Sequence, residues 1–116
     1  MSTAIKVTST NQLNKKAAID KCPVTLTIEK IGGRWKPLIL YNLVSSAKRY
    51  NELRKAIPLI SEKMLIQQLR ELEDDRLIFR KVYPVVPPHV EYSLTKIGKE
   101  MNPILSAMAA WGLKNG

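Results

Sequence analysis

The chain predicts a mainly helical α+β fold in which two short helices joined by a turn are followed by a small hairpin. Three observations carry this reading. Helical segments at 52–57 and from Ser61 onward are separated only by Pro58-Leu59-Ile60. Two strand-like runs, about Ile78–Tyr83 and His89–Leu94, come next, and Val90, Tyr92 and Leu94 alternate as a half-buried strand requires. The connector between the runs holds Pro84, Pro87 and Pro88, which lack the backbone donor that sheet pairing needs. A stiff connector held out from a hairpin is a wing, so the expected order is helix, turn, helix, wing.

The elements follow in order. Residues 1–19 read as an N-terminal arm, mobile or docked on a partner, rich in Ser, Thr and Ala with isolated apolar residues. The remaining 20–116 read as one folded domain. Pro23, tolerated at a first helical position, opens a helix through Ile31, which Gly32-Gly33 ends. Pro37 opens a second helix through about Val44, apolar nearly all round, as a core helix is. Asn51 is the expected N-cap of the third helix, 52–57, and Pro58 its stop. Ser61 caps the fourth. At 100° per residue, Leu65, Leu69 and Leu72 fall on one side of it, with Lys63, Gln67 and Arg70 opposite and Met64 and Glu71 at the edge. Lys48-Arg49-Tyr50 offers a short third strand at the base of the hairpin. Thr95 caps one last helix whose apolar positions are Ile97, Met101, Ile104, Leu105, Met108 and Trp111.

At 116 residues the chain suits a single modest core. Nineteen Lys and Arg against ten Asp and Glu give a net charge of +9, which calls for an anionic partner. No stretch approaches the roughly 18 apolar residues of a membrane span, and no signal-peptide pattern opens the chain. Double-stranded DNA in the cytoplasm is therefore the expected partner, and no membrane. The charge is segregated: Lys30, Arg34, Lys36, Lys48, Arg49, Arg54 and Lys55 face a single acid, Glu52, between 30 and 55, while Glu71, Glu73, Asp74 and Asp75 gather at the end of the fourth helix. Catalysis finds no support. His89 is the only histidine, and no spacing of Ser, His or carboxylates forms a triad or an acid–base pair. No metal site and no cofactor are expected, since the single cysteine, Cys22, excludes a Cys-rich zinc site and an intrachain disulfide.

In such an architecture the fourth helix enters the major groove and the wing lies beside it along the duplex. The expected DNA-facing set on that helix is Ser61, Lys63, Met64, Gln67, Gln68 and Arg70. Arg34, Lys36, Lys48 and Arg49 are expected on phosphates, and Pro87, Pro88 and His89 at the wing. Gln toward adenine and Arg or Lys toward guanine are the base contacts such side chains make. Cys22, at the N-cap position before Pro23, stands where unpaired N–H groups and the helix dipole favour negative charge, with Lys21 beside it. It is the candidate redox or electrophile sensor.

At these residues the chain resembles the HxlR family of bacterial winged-helix regulators, relatives of the MarR group. The matching stretches are "CPV" at Cys22, "IGGRW" from Ile31, "KRYNELRKAIPLISEKML" from Lys48, "QLRELEDD" from Gln68 and "VYPVVPPHVEYSLT" ending at Thr95. The resemblance implies a homodimeric DNA-binding regulator, commonly a repressor, with N- and C-terminal dimerisation helices. Met101, Ile104, Leu105, Met108 and Trp111 are the expected dimer residues on the latter. It also implies that the "CP" cysteine can respond to quinones, hypochlorite or thiol oxidants. Arg76 departs from the family's usual Gly, Gln68 from a frequent Arg, Ile66 from a frequent Thr, and His89 from a frequent Arg or Lys. The other reading of the same sequence is a winged-helix module that docks a protein through its last helix.

Overall fold

The structure is a computed structural model that describes residues 22–116. The arm expected at 1–19 lies outside the described residues. The chain divides into two compact units, the first ending at Lys30 and the second spanning Ile31–Gly116. Helix α1, Pro23–Ile31, falls almost wholly in the first unit. In order along the second come α2 (Lys36–Leu43), β1 (Lys48–Arg49), α3 (Tyr50–Ala56), α4 (Glu62–Asp74), β2 (Ile78–Tyr83), β3 (His89–Leu94), α5 (Lys96–Lys99) and α6 (Asn102–Asn115). The α+β winged helix-turn-helix expected from the sequence is the architecture observed.

The core explains why the elements sit where they do. Ile39, Leu40 and Leu43 of α2 are buried, as are Leu53 of α3, Leu65, Leu69 and Leu72 of α4, and Ile78, Tyr92 and Leu94 of the sheet. Helix α2 packs against α4, β3 and α6, so it is the central element, although Leu38 and Tyr41 are left about half exposed. The sheet has the order β1-β3-β2, all antiparallel. Ile78 faces Leu94, Arg80 faces Tyr92 and Tyr83 faces His89. Lys48 faces Tyr92 and Arg49 faces Glu91, so the short third strand exists, but it stops at Arg49 because Tyr50 already turns into α3.

Two boundaries differ from the sequence reading. Helix α3 begins at Tyr50, capped at Arg49, and not after Asn51. The cause is Glu52, whose carboxylate reaches back to accept from the Arg49 backbone N–H at 2.7 Å, satisfying a donor that would otherwise be unpaired. The last helix is two helices, since α5 ends at Lys99 and Pro103 supplies a fresh first turn for α6. Met101, at the joint, is buried.

The passage from α4 into the wing is a Schellman turn. Leu77 N–H donates to the Leu72 carbonyl at 3.0 Å and Arg76 N–H to that of Glu73 at 2.9 Å, with Leu72 and Leu77 both buried. Arg76 takes φ 61°, the left-handed conformation that glycine adopts without a Cβ penalty. Thr95 closes the far end of the hairpin: its hydroxyl donates to the Arg76 carbonyl at 2.6 Å and accepts from Gly98 N–H at 3.0 Å. At Gly98 a Cβ would collide with the Leu77 carbonyl, so glycine is required for this close approach.

Candidate nucleic-acid interface

Helix α4 is fixed in rotation by its own sequence. The Ser61 hydroxyl accepts from Met64 N–H at 3.1 Å and starts the helix, and burial of Leu65, Leu69 and Leu72 pins one side to the core. Lys63, Gln67 and Arg70 are thereby forced outward, together with Ile66. Across the turn, the Arg54 guanidinium donates to Glu62 at 3.0 Å and ties α3 to the first turn of α4.

Between α4 and the wing lies an open groove of about 830 Å³. Arg49, Arg70 and Arg80 line it together with Ile66 and Tyr92, and Pro87, Pro88 and His89 line it from the wing. Its acids are Glu62, which Arg54 engages, and Glu73. Burial raises the pKa of the Tyr50 phenol above its ordinary 10.0, with Glu62 adding to the effect and Arg54 opposing it, and the hydroxyl is buried without a hydrogen-bond partner among the described residues. Three guanidiniums around a trough beside an exposed helix make a track for phosphate oxygens.

Several residues expected on DNA hold partners within the chain. Lys36 is the clearest case: its Nζ pairs with the Glu71 carboxylate at 2.7 Å and its side chain is only 12 % exposed. The same Glu71 accepts from Gln67 Nε2 at 3.1 Å, and its own pKa lies below the ordinary 4.5 because Lys36 and then Gln67 hydrogen-bond the charged form. Lys48 donates to the hydroxyls of Ser45 and Ser46 at 3.3 and 2.7 Å. Arg34 is exposed and lies 4.6 Å from the Trp35 ring centroid, while Arg49 is exposed at the groove. Gln68 and Met64 are half-buried and meet at 3.5 Å, which places them at the edge of the outward face. Arg70 forms no ion pair with Asp74 among the described residues.

The wing loop is 84–88, and Val86 at its end is 98 % exposed. His89 is not at the tip. It opens β3 opposite Tyr83, and the two rings stack with centroids 4.6 Å apart. Tyr83 in turn donates to Glu91 at 3.1 Å and carries Lys81 4.9 Å from its ring centroid. Sequence reasoning missed Arg80, and it counted Arg54 among the basic residues between 30 and 55 without its tie to Glu62. The two-residue alternation counted from buried Ile78 would have found Arg80, since it puts Arg80 on the same face of β2. Arg54 carries no local signal, because its partner Glu62 is on another helix.

Two further features stand outside this interface. Cys22 is exposed, and its carbonyl accepts the first helical bond from Leu26 N–H at 3.1 Å, as an N-cap residue's does. Helix α1 exposes Val24, Leu26 and Ile28. The expected dimer residues separate: Met101, at the joint, and Leu105 of α6 belong to the subunit core, whereas Ile104, Met108 and Trp111 are exposed, Trp111 by 69 %.

An outward polar recognition helix, a basic groove and a wing define a winged helix-turn-helix transcriptional regulator with a DNA-binding fold. Residues 30–116 match the HxlR-like helix-turn-helix family, and the chain belongs to it. Among its relatives, the HTH-type transcriptional regulator YdeP of Bacillus subtilis is 48 % identical over 108 residues, covering 87 % of this chain and 84 % of YdeP. Of solved structures, the redox regulator HypR in its oxidised form superposes with TM-score 0.79 at 47 % identity, covering 82 % of this chain and 98 % of HypR. A MarR-family regulator from Porphyromonas gingivalis W83 gives TM-score 0.80 at 44 % identity, covering 84 % and 95 %. No described helix is long and apolar enough to cross a membrane.

Proposed function

We propose that the protein is a cytoplasmic repressor that binds an inverted-repeat operator as a homodimer and releases it when Cys22 is modified. The observation that carries the DNA part is the juxtaposition of Lys63, Gln67 and Arg70 on α4 with Arg49, Arg70 and Arg80 around the groove. In this reading α4 enters the major groove, Gln67 and Lys63 meet base edges, and the arginines hold the flanking strand, with the prolines keeping the wing ordered at little entropic cost. Lys48 and Arg34 add phosphate contacts at the rim. Two-fold symmetry follows from the operator geometry of helix-turn-helix dimers, whose half-sites lie about one helical turn apart. The exposed apolar residues of α6 supply the subunit contact. A module that docks a different protein through α6 draws on the same exposed residues, and salt separates the two: DNA binding weakens steeply as salt rises, an apolar interface does not.

The sensing part rests on an exposed thiol at an N-cap and on similarity to HypR, a redox regulator solved in oxidised and reduced forms. With one cysteine per chain, oxidation by diamide joins Cys22 to the partner subunit's Cys22 or to a small thiol. The two thiols lose two protons and two electrons, and diamide takes both up as its hydrazine. The test is binding to genomic promoter fragments before and after diamide or a quinone, on the natural protein and on Cys22→Ser. Release confined to the natural protein is expected. Equal release in both, or none in either, removes the sensor role, and failure to retain any duplex removes the operator reading.

A further inference from the structure

We infer that Lys36 and Glu71 are positioning residues that fix which way the Gln67 amide faces, and through it set the base preference of α4. The inference rests on the proposed reading of DNA by that helix. Gln67 and Glu71 are one helical turn apart, and the Glu71 carboxylate has its two oxygens separately occupied. Oε1 receives Lys36 Nζ at 2.7 Å and Oε2 receives Gln67 Nε2 at 3.1 Å. A carboxylate only accepts, so the amide nitrogen must face it; with the amide turned over, Gln67 Oε1 would confront the anion. One amide hydrogen is spent in this way. The oxygen and the second hydrogen stay available, the acceptor–donor pair that adenine matches with its N6 amino group and N7.

Lys36 is what keeps the anion in place. It comes from the first turn of α2, the central core helix, so it anchors Glu71 to a rigid element and not to another flexible surface chain. The depressed pKa of Glu71, caused first by Lys36, agrees with a carboxylate held in its charged form. Without this chain of contacts an exposed glutamine rotates and turns over, and an amide free to present two hydrogens also suits guanine, whose major-groove edge offers only acceptors.

Charge alone predicts something different, and this makes the inference testable. Glu71→Ala removes an acid and should tighten binding to all DNA; Lys36→Ala removes a base and should weaken it. A positioning role requires that both variants nevertheless lose discrimination at one and the same base pair. The experiment is affinity selection from a duplex pool with a randomised core, using the full chain, Gln67→Ala, Glu71→Ala and Lys36→Ala, each confirmed folded by its thermal transition. We expect Gln67→Ala to flatten one base position in each half-site, and both other variants to reduce preference there by roughly tenfold. If the natural protein enriches a motif that Gln67→Ala leaves intact, or that Glu71→Ala and Lys36→Ala both keep at full preference, the positioning role is overturned while DNA reading stands. If the natural protein enriches no motif, the reading of DNA itself falls, and this inference with it.

Discussion

Helices α4 and α6 are almost equal in length, 13 and 14 residues, and they treat their apolar side chains in opposite ways. Helix α4 spends its leucines inside the subunit: Leu65, Leu69 and Leu72 are all within 1 % of full burial, and what remains outside is mostly polar. Helix α6 buries only Leu105 and leaves Ile104, Met108, Trp111 and Leu113 exposed. The first suits a partner met through ions and hydrogen bonds, the second a partner met by desolvating apolar surface. Salt should therefore act on one and spare the other.

The sharpest contrast is in stability. Leu69→Ala opens a cavity in the middle of the core and is expected to cost about 2–5 kcal/mol, whereas Leu113→Ala, at 90 % exposure, should stay within about 0.5 kcal/mol. Urea unfolding of both variants checks this, and comparable losses would mean that α6 is packed as tightly as α4. Next in size is association. Trp111→Ala is expected to leave folding of the subunit nearly intact and to weaken the dimer by about 2 kcal/mol, as loss of an interface tryptophan commonly does. Sedimentation equilibrium reads it. A natural protein that is monomeric at micromolar concentration would end the contrast, leaving the α6 face without the partner assigned to it.

Much of this comparison was legible in the sequence, because α4 declares itself locally. A serine cap, leucines at helical spacing and a polar opposite side fix its start, its rotation and its outward residues, and the alternation of Val90, Tyr92 and Leu94 did the same for β3. What was not legible depends on contacts between distant elements. The capping of α3 at Arg49 turns on a single Glu52 bond, the pairing of Lys36 on a carboxylate of another helix, and the inward turn of Met101 and Leu105 on a break at Pro103. The left-handed Arg76 lies between these cases: its departure from the family's glycine was visible, and the structure supplies the φ that makes it costly. Arg76→Gly is accordingly expected to raise stability by about 1 kcal/mol, the relief of Cβ strain less the added freedom of the unfolded chain. A lower melting temperature for that variant would show that the Arg76 side chain contributes more than its backbone costs.

The smallest expected effect concerns the one acid of α4 that turns back to the core helix. Glu71 has a folded pKa below 4.5, with Lys36 as the first cause and Gln67 the second, and desolvation opposing them. A depressed carboxylate contributes stability that is fully present above the unfolded value and is lost as pH falls through the folded one. Because the Glu71 side chain is 41 % exposed, the contribution is screened and amounts to about 0.5 kcal/mol. The natural protein should thus exceed Glu71→Gln in stability by a constant small margin from neutral pH down to about 4.5, the ordinary carboxylate value, and the margin should close below it. Adding salt at neutral pH should narrow it as well. Denaturant midpoints for the two proteins across that range decide the matter, and a margin that widened on acidification would mean that Glu71 is held by something other than the Lys36 ammonium.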